Sequence, residues 1–151
     1  MRNLFFLLSI PCFLYSASPQ LIINPISIHL PTPTESDLDA GFVQDHDNNI
    51  YHAVKIEVIE GSPMRPWTLY LRAKNRFFSP TRAHKQVSDL NWKHNAEENN
   101  SYRTVTTSKT AVFSSPSGEG RRIKLDLSVN VNWQDANELY SLPLEFILEE
   151  N

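Results

Sequence analysis

Residues 122–133 read Arg122-Ile123-Lys124-Leu125-Asp126-Leu127-Ser128-Val129-Asn130-Val131-Asn132-Trp133, an apolar/polar alternation without a break. Ile123, Leu125, Leu127, Val129, Val131 and Trp133 share one parity, and Arg122, Lys124, Asp126, Ser128, Asn130 and Asn132 share the other. A period of two over this length specifies a long β-strand with one face on a core and one face in water. On this reading Trp133 closes the row of core residues.

Outward from this strand, similar patterns recur at short intervals. Val54, Ile56 and Val58 alternate with Lys55 and Glu57. Trp67, Leu69, Leu71 and Ala73 alternate with Thr68, Tyr70, Arg72 and Lys74. Leu90 and Trp92 alternate with Asn91 and Lys93. Residues 102–107 and 111–113 read as short strands, and Tyr140, Leu142, Leu144, Phe146 and Leu148 mark a last one. Residues 75–80 read as a bend, 114–120 as a turn and 134–138 as a compact corner. Seven or eight short strands with no sustained helical period specify an all-β fold, a two-sheet antiparallel sandwich. Trp67, Trp92 and Trp133 all take core parity, where aromatic rings supply much of the burial.

The first strand is less regular. Leu21 and Ile23 share one parity, but Ile26, Ile28 and Leu30 share the other, with the switch at Asn24-Pro25. A slip of one residue turns the apolar set to the opposite face, and proline permits it at an edge or a bulge. Residues 31–49 follow as a long polar connection containing Pro31 and Pro33. Connections of this length are uncommon in compact domains. This one is read as either a loop over the sandwich end or a linker that frees the first strand.

The start of the chain specifies export. Arg2 precedes an apolar stretch over residues 4–14, and Ser16-Ala17-Ser18 supplies small residues, as in a secretory signal peptide spanning 1–18. Residues 19–151 are then one domain. The single cysteine, Cys12, falls within the leader, so the remainder has neither a disulfide nor a thiolate ligand. Fourteen basic residues against 17 acidic ones give −3, and loss of Arg2 with the leader takes this to −4. That balance argues against a nucleic-acid partner. No second long apolar run offers a membrane span.

The order W-T-L-Y-L-R-A (67–73), N-R-F-F-S (75–79), L-N-W-K (90–93), the long strand and L-Y-S-L-P-L-E-F (139–146) resembles bacterial exported immunoglobulin-like β-sandwich proteins of the cell surface. The resemblance runs from Val54 to Leu148. It implies an Ig-like topology and a surface role, and because the matching positions are core, it carries over no functional residue.

Chemistry-bearing motifs are sparse. Asp45, Asp47 and Asn49 have the first-third-fifth spacing of a calcium loop. However, Ile50 stands where the sharp-turn glycine belongs and Ile56 where the bidentate acid belongs. The five histidines, His29, His46, His52, His84 and His94, are scattered without metal-ligand spacing. No G-x-S-x-G occurs, and four glycines leave no phosphate-cradling loop. Glu97-Glu98 and Glu149-Glu150 lie in polar settings that keep carboxylates ordinary. No catalytic, cofactor or metal residue is assigned. Arg72, Lys74, Arg76, Arg82, His84 and Lys85 make a basic region, read as either a patch for an anionic glycan or acidic partner or an ordinary wet sheet face, and Asn99-Asn100-Ser101 is a glycosylation triplet.

These features favour an exported, non-enzymatic structural or adhesive surface protein, in its sharpest form a fibre or pilus-like subunit that self-associates or binds protein partners by strand addition. Ile26, Ile28 and Leu30 are the candidate donor residues. A glycan-binding module using Tyr70 and Arg72, with Tyr51 or Tyr102, is one alternative. A periplasmic accessory subunit of a surface-assembly system is another.

Overall fold

The structure is a computed structural model that describes residues 17–28, 30–44, 54–79, 82–98, 101–135 and 140–151. The chain order is β1 (Gln20–Asn24), α1 (Glu35–Ala40), β2 (Phe42–Gln44), β3 (Val54–Ile59), β4 (Trp67–Ala73), β5 (Phe77–Ser79), β6 (Arg82–Gln86), a 3₁₀ turn (Val87–Asp89), β7 (Leu90–His94), β8 (Arg103–Thr104), β9 (Thr110–Ser115), β10 (Arg121–Asn130) and β11 (Leu144–Glu150). The fold is all-β, with every strand pair antiparallel.

One sheet has the order β1-β3-β10-β7-β8, with β2 joining β10 beyond the end of β3. The other has the order β11-β4-β9. A β5-β6 hairpin stands apart. Register explains why the sheets bury one face. Ile23, Ile56 and Ile123 lie in one cross-strand row, and Leu127 is opposite Trp92. In the second sheet Leu148, Leu69 and Phe113 form a row, with Phe146 opposite Leu71. Cross-strand apolar pairs of this kind are the local unit of sheet stability. The two inner faces make one cluster that includes Val54, Ile56, Trp67, Leu69, Trp92 and Leu125. Each such side chain contributes about 1.5–3 kcal/mol through its removal from water. His94 on β7 bonds through Nε2 to the Val112 carbonyl on β9 at 3.0 Å, which spans the two layers.

Several expectations change. β10 ends at Asn130, so the sequence alternation outruns the ladder, and Trp133 lies in a turn with 58% exposure. It is not core. Residues 75–80 are not only a bend, because Phe77–Ser79 forms β5 and pairs with β6. The connection over 31–49 contains α1 and β2. Thr34 caps α1 by accepting from the Asp37 N–H, while the Asp37 carboxylate accepts from the Thr34 N–H, a reciprocal capping box. Gly41 ends the helix at φ 82°, a conformation that favours glycine. The first strand, expected over 20–30, stops at Asn24, and residues 26–27 form a bend. Strand content in residues 102–107 is confined to Arg103–Thr104.

The contrast between two tryptophans tests this packing. Trp92→Ala should lower unfolding free energy by about 3–5 kcal/mol through transfer and cavity terms. Trp133→Ala should stay within about 0.5 kcal/mol of wild type, as for surface changes elsewhere. Urea denaturation followed by far-UV circular dichroism reads both.

Candidate functional site

The residues singled out from the sequence do not converge. Ile26 is 98% exposed in the bend after β1, whereas Ile28 and Leu30 are partly buried and pack on the core. On β4 the outward side chains of Tyr70 and Arg72 are both engaged. The Lys109 ammonium lies 5.3 Å from the centroid of the Tyr70 ring. The Arg72 guanidinium donates through Nε to Glu145 Oε2 at 2.7 Å across the β4-β11 pair. Lys109 also pairs with Glu149. The wet face of the smaller sheet is therefore a ladder of opposite charges.

Three members of the basic region expected over 72–85, namely Arg72, Arg76 and Lys85, are each engaged by a partner, while the side chains of Arg82 and His84 lie outside the described residues. Arg72 is neutralised by Glu145, and Arg76 stacks on Phe77 with its guanidinium 5.5 Å from the ring centroid. Lys85 is buried. Its ammonium donates to Asp135 Oδ2 at 2.8 Å and to the Asn130 carbonyl, with Asp89 at 3.9 Å. Asp135 also accepts from the Asn132 N–H at 2.9 Å and from the Tyr140 hydroxyl at 3.3 Å. This network ties β6 to the end of β10 and to the start of the last segment.

Burial pushes the Asp135 carboxyl upward. The Lys85 hydrogen bond, the Asn132 N–H, the Lys85 charge and the Tyr140 hydroxyl together outweigh it and hold the group below its ordinary range. A carboxyl depressed in the folded state adds stability above its unfolded pKa, and that stability is lost as pH falls through the folded value.

A second buried pair lies on the outer face of the larger sheet. Asp126 and Lys93 are directly opposite in the β10-β7 register, and their charged atoms are 3.1 Å apart. Lys93 also donates to the Glu97 carbonyl at 3.0 Å, and its ammonium lies 5.5 Å from the Tyr102 ring centroid. Asn95 Nδ2 donates to Asp126 Oδ1 at 3.0 Å. The chain after β7 thus folds across this face and covers it. At the sheet edge Arg103 makes a two-pronged bond to Glu97, at 2.8 and 2.9 Å, and lies 5.0 Å from the ring centroid of Trp92, its partner in the β7-β8 register. The Arg103 hydrogen bond is the main cause that lowers the Glu97 carboxyl; burial opposes it.

An open groove of about 290 Å³ lies beside the start of β10, lined by Glu57, Ile59, Glu60, Gly120 and Arg122 among others. Its charged groups face one another. Arg122 Nε donates to Glu57 at 3.0 Å, and Glu60 accepts from the Gly120 N–H at 3.0 Å. Among the described residues no three His, Cys, Asp or Glu side chains are grouped to hold a metal. The calcium-spaced residues Asp45, Asp47 and Asn49, with Tyr51, His29, His46, His52 and Asn99-Asn100, lie outside the described residues. So do Cys12 and most of the leader. Among the described residues no helix is long and apolar enough to cross a membrane.

What the sequence did not disclose is the edge of the larger sheet. Among the described residues β1 pairs with β3 alone, which leaves its other side open. Ile22 points to the outer face with 47% exposure, and Ile59, diagonal to it on β3, is 43% exposed. A signal existed: no Asp, Glu, Lys or Arg occurs between Ser18 and Thr34. Comparison of the chain with protein-family models, curated proteins and solved structures gave no match.

Removing one partner of the buried pair is the informative test of these networks. Lys85→Ala leaves the Asp135 charge buried and should cost about 3–5 kcal/mol, whereas joint replacement by Lys85→Met and Asp135→Leu should recover most of that loss. In wild type the Asp135 contribution should fade as pH drops below about 4, and Asp135→Asn should flatten that part of the stability–pH curve.

Proposed function

We propose that this chain is an exported, non-enzymatic structural or adhesive protein of the cell surface, with an Ig-like sandwich that assembles through its sheet edges. The observation that carries this reading is β1, an uncharged strand at the edge of the larger sheet with apolar side chains beside the open backbone. Such an edge takes up another strand through main-chain hydrogen bonds, and alternate side chains give specificity. The buried ionisable groups support the same view. Lys85, Asp135, Lys93 and Asp126 are matched to one another and serve to hold strands and loops together. The leader-like residues 1–18 supply the case for export.

The donor role is revised by the strand boundaries. Residues 20–24 are integrated into their own sheet, with Leu21 and Ile23 packed against the core. Assembly therefore uses β1 in place as an acceptor edge, and Ile26, Ile28 and Leu30, the last two packed on the core, are not needed as an inserted strand. The glycan-binding alternative is the weaker reading, because Tyr70 and Arg72 are engaged by Lys109 and Glu145.

Fractionation of cells expressing the full chain tests the proposal. The expected result is a shortened protein beginning near Pro19 in the exported or surface fraction, cross-linked there to itself or to other envelope proteins. Retention in the cytoplasm with residues 1–18 intact would refute the surface role.

A further inference from the structure

We infer that β1 pairs with β1 of a second copy of this chain, which joins the larger sheets of two molecules into one continuous antiparallel sheet around a twofold axis at Ile22. The inference rests on the proposed assembly through sheet edges and names the partner.

The first ground is self-complementarity. An isologous contact brings the same strand against itself in reverse order. With Ile22 at the centre, Gln20 falls opposite the partner's Asn24, Leu21 opposite the partner's Ile23, and Ile22 opposite the partner's Ile22. Amide meets amide at both ends and aliphatic meets aliphatic in the middle. No charge is buried and no like charges meet. On the outer face the pairing brings two exposed Ile22 side chains together, with an exposed Ile59 diagonal to each. On the inner face Leu21 and Ile23, only partly buried in one molecule, gain the same residues from the second. Each is a cross-strand apolar contact of the kind that stabilises sheets.

The second ground is that the other edges are each blocked by an identifiable device. β11 paired with itself about Ile147 sets Glu145 against the partner's Glu149, and like charges directly opposite are destabilising. β9 carries an irregularity opposite Leu69 and Tyr70, and bulges blunt an edge. β8 has two residues and β2 has three, too few for a stable ladder. β1 has five residues, no charge and an unbroken register with its neighbour. Pro19 and Pro25 bracket it, and without N–H groups they cannot extend the ladder, so pairing is confined to these five residues. One self-complementary edge closes on a single partner. The product is a dimer and not a fibre.

The test uses the purified full chain and its mass in solution by sedimentation equilibrium over a wide concentration range. Wild type should approach twice the chain mass as concentration rises. Ile22→Lys places two ammonium groups face to face at the axis and should leave a monomer with unchanged circular dichroism and the unfolding temperature of dilute wild type, because the position is surface exposed in a single chain. Directly opposite cross-strand Cβ atoms lie about 4.5–5.5 Å apart, close to disulfide reach. Ile22→Cys with Cys12→Ser should therefore oxidise to a linked dimer, and Glu149→Cys with Cys12→Ser should not. Three results would overturn the inference: a wild type that stays monomeric, a dimer indifferent to Ile22→Lys, or species that grow beyond two chains. A monomer in the surface fraction would remove this dimer and leave the surface role standing. A cytoplasmic dimer would do the reverse.

Discussion

The ten residues of β10 pair with three strands: β3 along residues 121–125, β2 along 128–130 and β7 along 125–129. Among the described residues no other strand pairs with as many. Its inner row of Ile123, Leu125, Leu127 and Val129 sets the register of both neighbours, since a shift of one residue would turn these side chains to the outer face. β3 in turn fixes β1, and β7 fixes β8. The position of the β1 edge is thus inherited, strand by strand, from the alternation in β10.

That alternation was legible because burial on one face leaves a period of two in the residues themselves. Trp67, Leu69, Leu71 and Ala73, and also Val54, Ile56 and Val58, were legible for the same reason. Two things were not. Alternation cannot mark where pairing ends, so Val131 and Trp133 continue the pattern after the ladder has stopped. Val131 is still buried while Trp133 projects from a turn. Nor can alternation say whether the polar face stays wet. Asp126 and Ser128 have the parity of a solvated face, yet both are buried, and Asp126 lies against Lys93 of β7 and Asn95, with Tyr102 beside the Lys93 ammonium. Such contacts are long-range and leave no local pattern.

The helix α1 belongs to a different class. Its cap, Thr34-Glu35-Ser36-Asp37, was present in the sequence, but six helical residues give too little periodicity to stand out within a polar connection. Part of the basic region, Arg72, Arg76 and Lys85, shows the opposite case. Consecutive cations look like a patch in one dimension, whereas Arg72, Arg76 and Lys85 each meet a different partner on a different element. What remains for interaction is backbone, at a sheet edge, where residue chemistry matters mainly through what it leaves out. A stretch without charge was visible in the sequence, and its meaning followed only once its place at the end of the strand order was known.

A rigid sheet built on β10 ends in an open edge at β1. Hydrogen–deuterium exchange resolved to single amides tests both parts in one measurement. Amides of residues 123–129 should exchange most slowly at every protein concentration, as groups released only by global unfolding do. Amides of residues 20–24 that face away from β3 should exchange fast in dilute protein and become protected as concentration rises. Fast exchange in β10, or protection of β1 that does not change with concentration, would contradict this arrangement.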